Sequence, residues 1–74
     1  MTSSKKWIEC RVTPGMFSDE RTVEVRGRSF FVEKNVVRSE KNGSGQVEVI
    51  IVEKNGEKWA VLPTPTRESI FYGA

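Results

Sequence analysis

The sequence contains no histidine and only one cysteine, and these two shortages remove most of the chemistry open to a small domain. Without histidine there is no Ser-His-Asp or Cys-His pair, and no side chain whose ordinary titration falls near neutrality. Cys10 alone cannot close a disulfide within the chain, and one cysteine without histidine cannot assemble a zinc site. Asp19 and Glu20 are adjacent on a loop, point apart and share no proton, and no segment has the acidic spacing of a calcium loop. Long apolar runs are missing as well: the longest, Val49 to Val52, is far too short to cross a bilayer. Asn42-Gly43-Ser44-Gly45 is rich in glycine but lacks the lysine and hydroxyl of a phosphate-binding loop, and it leads into no helix. The expectations are no enzymatic activity, no cofactor, no metal and no membrane segment. A lone cysteine, with no apolar leader after Met1, adds the expectation of a reducing, cytoplasmic setting.

The stabilising staples of small proteins are thus absent, in a chain whose length buries only about 60% of its unfolded surface. Stability must come from apolar packing, with self-association as a further source. Residues 1–5 are polar and expected to fray, residues 6–72 form a single domain, and residues 73–74 are a short tail. Net charge is +2. The surplus is concentrated in residues 21–41, where Arg21, Arg26, Arg28, Lys34, Arg38 and Lys41 face only Glu24, Glu33 and Glu40.

What the sequence does contain is strand patterning. Asn55-Gly56 supplies the two positive-φ residues of a type I′ turn, the turn whose twist matches paired strands. With that pair as the loop, Lys54 faces Glu57, Glu53 faces Lys58, Val52 faces Trp59, Ile51 faces Ala60, Ile50 faces Val61 and Val49 faces Leu62. The hairpin is apolar on both faces, with Ile50, Val52, Trp59 and Val61 on one and Val47, Val49, Ile51, Ala60 and Leu62 on the other. A sheet solvated on one side alternates apolar with polar, so something must cover each face of this hairpin.

Alternation in Trp7-Ile8-Glu9-Cys10-Arg11-Val12 marks a first strand with Ile8, Cys10 and Val12 directed inward. Pro14 to Glu20 is a loop whose Met16 and Phe17 are expected to fold back over the core edge. Thr22 to Arg26 and Ser29 to Glu33 make a second hairpin, with Gly27-Arg28 read as a Gly-first turn that sets Val25 opposite Phe30 and Val23 opposite Val32. Val36-Val37 either extends this strand or forms its own. Ser39 to Gly45 has no apolar residue and two glycines, the composition of a mobile loop. Pro63 and Pro65 stop the ladder. Thr66 to Ser69 can make one 3₁₀ turn, and Ile70-Phe71-Tyr72 reads as a short closing strand.

The expected fold is all-β: a small antiparallel barrel of five to six strands with a 3₁₀ turn near the C-terminus. In this order of strands, long first loop, tight late hairpin and brief last strand, residues 6–72 resemble the SH3-like small barrels. The resemblance is one of layout. The aromatic-rich first strand and acidic first loop of the peptide-binding SH3 family are absent, so it implies no proline-rich ligand and carries over no site residue.

With catalysis set aside, binding remains. Trp7, Arg26, Arg28 and Phe31 fall on the solvent side of their strands or at a turn, and Trp59 lies on the uncovered hairpin face. Aromatic and arginine side chains are enriched at protein interfaces. The leading expectation is a non-catalytic binding module or accessory subunit that docks a protein partner or a second copy of itself. The alternative is RNA or single-stranded DNA binding, through Arg21, Arg26, Arg28, Lys34 and Arg38 with Trp7 and Phe31 as stacking platforms.

Overall fold

A computed structural model describes residues 2–73, so the expectations for Met1 and Ala74 lie outside the described residues. The chain is all-β. Its elements are Thr2–Pro14 (β1), Glu20–Val25 (β2), Arg28–Glu33 (β3), a 3₁₀ turn at Lys34–Val36, Val37–Lys41 (β4), Ser44–Lys54 (β5), Glu57–Val61 (β6) and Ser69–Gly73 (β7). They form one curled antiparallel sheet, a half-barrel, in the order β3-β2-β1-β5-β6-β7, with β4 beside the first half of β5.

Two long strands produce the curl because each serves several neighbours. β1 pairs with β5 from Thr2 to Arg11, then with β2 from Arg11 to Pro14. β5 carries β1 on one edge and, on the other, β4 followed by β6. These strands also set the long dimension of a molecule measuring 38 × 23 × 19 Å.

The inward phase of each strand builds the core. Ile8, Cys10, Val12, Val23, Val25, Phe30 and Val32 are all buried, joined by Val37, Val47, Val49, Ala60, Leu62 and Ile70. Each fully buried aliphatic side chain contributes roughly 1.5–3 kcal/mol. Gly45 is buried where β1, β4 and β5 meet: a Cβ there would lie 2.9 Å from Val12 Cγ2 and 3.1 Å from the Arg38 carbonyl oxygen.

The Asn55-Gly56 hairpin has the expected register from Lys54 opposite Glu57 through Ile50 opposite Val61. The second hairpin differs. Its turn is Arg26-Gly27, both at positive φ (53° and 78°), so Val23 lies opposite Phe30 and Val25 opposite Arg28. Moving the turn by one residue shifts each cross-strand partner by two. Two is the period of a strand, so the buried face is unchanged even though the pairs are not.

Other expectations are corrected. Ser39 to Gly45 is no mobile loop: Asn42-Gly43 is a third two-residue turn at positive φ (53° and 82°), and it joins β4 to β5 with a bulge between Arg38 and Lys41. β4 brings the strand count among the described residues to seven, starting at Val37 while Val36 belongs to the 3₁₀ turn. Thr2 to Lys5, expected to fray, are part of β1 and pair with Glu53 to Ile50, satisfying backbone groups on the β5 edge that β6 leaves free. Gly73 ends β7 and is no tail. Thr66 to Ser69 is not 3₁₀. The segment closes as a turn in which the Arg67 N–H donates to the Thr64 carbonyl (2.9 Å) and the Glu68 N–H to Thr64 Oγ1 (3.2 Å). Met16 and Phe17 do not fold back over the core. They stay exposed because Glu20 organises the loop from below, accepting the Met16 N–H at Oε1 (2.9 Å) and the Gly15 N–H at its carbonyl (3.1 Å).

Candidate functional site

The face opposite the core follows from the same alternation. Val49, Ala60 and Ile70 point inward, so Ile50, Val61 and Phe71 point outward, together with Val52 and Trp59. Trp59 is the cross-strand partner of both Val52 and Phe71. Its ring meets Phe71 edge-to-face, with centroids 5.5 Å apart and planes at 80°. This is the geometry favoured by ring quadrupoles, worth about 0.5–1.5 kcal/mol beyond burial. The pair stays open to solvent, Trp59 at 36% and Phe71 at 46% exposure, while Ile50, Val52 and Val61 are half-buried beside it. The strip is apolar, and both described ends of the chain lie in the sheet beside it, as the start of β1 and as β7.

Trp7 shares this face at its far end. It sits opposite Glu48, four residues along β5 from the Val52 that faces Trp59. Its ring is not bare: the Arg38 guanidinium lies 4.2 Å from the ring centroid. Arg38 Nε donates to Gln46 Oε1 (2.9 Å), and Gln46 Nε2 donates to Glu9 Oε1 (3.3 Å), a chain of bonds that positions the arginine beside the indole.

Arg26, Arg28 and Phe31 lie elsewhere. Arg26, at the β2–β3 turn, donates to the Tyr72 carbonyl (3.3 Å) and stacks on the Tyr72 ring (4.9 Å). Arg28 lies 5.2 Å from the Phe30 ring centroid and 3.8 Å from the Glu68 carboxylate. Phe31 is exposed on β3. Of the five residues, Trp7 and Trp59 lie along β5 on the outer face, while Arg26, Arg28 and Phe31 occupy separate places on the β2–β3 hairpin. Arg21 is also engaged, with Glu40 at 3.0 Å and with the carbonyls of Ser18 and Glu20.

Cys10 is buried, and its thiol is pushed up to about 11, first by burial and then by the Glu9 and Glu40 carboxylates. At neutral pH it is a protonated, poor nucleophile.

Phe71 and Arg38 are the surface residues whose roles sequence reasoning missed. Alternation through Ile70-Phe71-Tyr72 could have placed Phe71 outward. That it meets Trp59 depends on β7 pairing with β6 across a seven-residue connection (residues 62–68) with no turn signature linking the two strands. No protein-family model, curated protein or solved structure matches the chain.

Proposed function

We propose that this chain is a non-catalytic binding module whose outer β5–β6–β7 face docks a protein partner or a second copy. The observation that carries the reading is the solvent-open Trp59–Phe71 pair set in an apolar strip of Ile50, Val52 and Val61. Burial of such a strip is worth about 25 cal/mol per Å² removed from water, and aromatic anchors in apolar surroundings dominate interface energetics. Nucleic-acid binding draws less support. Arg21, Arg26, Arg28 and Arg38 are each held by an acid, a carbonyl or a ring of the chain itself, which lowers the free positive charge available to phosphates.

A photo-crosslinking side chain at position 71, compared with one at position 24 on β2, tests the reading in the native host. The expected result is a discrete adduct from position 71 that disappears in Trp59→Ser, with none from position 24. Equal labelling from both positions would remove the outer face as the docking surface. Sedimentation at micromolar concentration separates the two occupants, since a purely 8.4 kDa species rules out the second copy.

A further inference from the structure

A second surface lies where the half-barrel stays open. A groove of about 530 Å³ runs between the β3 edge, with Phe31 and Glu33, and the segment from Pro63 to Arg67, with Phe17 and Asp19 also on its lining. β3 is the last strand in the sheet order, so the backbone groups on its far edge have no strand partner. The facing wall is a poor partner for them: Pro63 and Pro65 have no N–H to give.

Other free edges carry features that deter strand pairing. β4 is short, charged and bulged. The start of β1 carries Lys5 and Lys6. The β7 edge has the Arg26 guanidinium on its Tyr72 carbonyl. The middle of β3, Ser29-Phe30-Phe31-Val32, has no lysine, proline or bulge, and Phe31 on it is 54% exposed with Phe17 close by at 67%.

Charge narrows the occupant. Asp19, Glu20 and Glu33 line the groove against Arg67 alone, a local surplus of two negative charges on a chain whose net charge is +2. Glu20 and Glu33 are direct cross-strand partners, a like-charge pairing that a cation would relieve. Among the described residues, Asp19 and Glu33 join none of the ion pairs, which are Arg11–Glu24, Arg21–Glu40 and Arg28–Glu68. Phe31 and Glu33 stand two residues apart on one strand face, so a strand laid alongside would meet an apolar demand at one position and a basic demand two residues on.

We propose that the β3 edge takes up an extended segment of a partner protein as an added strand, with an apolar side chain on Phe31 and a lysine or arginine on Glu33 and Glu20. Backbone hydrogen bonds supply the affinity and the alternate side chains the selection, as in strand-addition recognition generally. This surface is separate from the Trp59–Phe71 face, and each stands without the other.

Titration of ¹⁵N-labelled full chain with the palindromic peptide Thr-Lys-Val-Ile-Val-Lys-Thr, capped at both ends, tests it without choosing a strand direction. The expected result is saturable shifts and slowed hydrogen exchange in β3 amides. Binding should weaken about tenfold in Phe31→Ser and for the matching glutamate peptide Thr-Glu-Val-Ile-Val-Glu-Thr, and stay unchanged in Trp59→Ser. Phe31 is exposed, so its substitution leaves the core intact, and the amide spectrum verifies this. No β3 response at about 1 mM peptide, equal binding of the glutamate peptide, or binding that survives Phe31→Ser would each overturn the proposal. So would β3 shifts that follow protein concentration without peptide, because the occupant would then be a second copy.

Discussion

Cys10 shows how far a neighbourhood decides what a residue can do. Its sulfur lies among Ile8, Val12 and the rest of the core, and the thiol is raised from its ordinary 9.0 to about 11 by burial, with Glu9 and Glu40 adding to it. The folded chain therefore holds this proton more tightly than the unfolded chain does. Stability linked to the group is complete below pH 9 and declines as the pH rises from about 9 to 11. Urea denaturation across that window should show a steeper loss for the wild type than for Cys10→Ala. That variant starts lower for want of packing but has no thiol to ionise. Parallel curves would mean that the sulfur is not desolvated. Trp7 makes a related point on the surface: an aromatic ring that alternation directs to solvent is occupied by Arg38, which reaches it from β4 across β5, a contact worth about 0.5–1 kcal/mol at an exposed site.

Three two-residue turns place positive φ at both central positions, and each has glycine second: Arg26-Gly27, Asn42-Gly43 and Asn55-Gly56. A Cβ added at Gly43 or Gly56 would meet nothing within 4 Å, so substitution there has a purely conformational cost. Gly43→Ala and Gly56→Ala should each destabilise by about 1 kcal/mol, nearly equally, with an unchanged denaturant slope. A much larger loss at one of them would reveal a packing role that the geometry does not contain. The turn chemistry also marks where sequence was legible. Asn55-Gly56 lies between two clear apolar runs, and its whole register could be read from its neighbours. Asn42-Gly43 carries the same signal, but Arg38, Ser39, Glu40 and Lys41 before it have no apolar phase, so the strand was masked by polarity. Arg26-Gly27 was misplaced by one residue because arginine is a rare first residue in such a turn. The core survived that error, whereas the surroundings of Arg26, Arg28 and Phe31 were not legible, because they depend on how distant strands curl together.

On the scale of the molecule, Arg26 explains its own unusual place. Asparagine fills the first turn position in the other two hairpins, and a non-glycine residue at φ 53° carries strain of about 1–2 kcal/mol that asparagine tolerates better. What arginine adds is reach. Its guanidinium crosses the open side of the half-barrel to the Tyr72 carbonyl and ring, with Lys6 Nζ 5.8 Å from the same ring centroid, and so ties the β2–β3 hairpin to the last strand. A charged hydrogen bond and a cation–π contact together are worth roughly 2 kcal/mol, more than the turn would recover. Arg26→Asn should therefore improve the turn locally and still lower overall stability by about 1 kcal/mol, with faster hydrogen exchange in Ile70, Phe71 and Tyr72. In a Tyr72→Leu background, which removes the ring but keeps the carbonyl, the same substitution should cost less. An Arg26→Asn chain that is more stable than wild type and leaves β7 exchange unchanged would show that the strand ends are held by the core alone. In the expected case, the side chain that looked free for a ligand is a clasp, placed at one end of the opening whose other end leaves the β3 edge accessible.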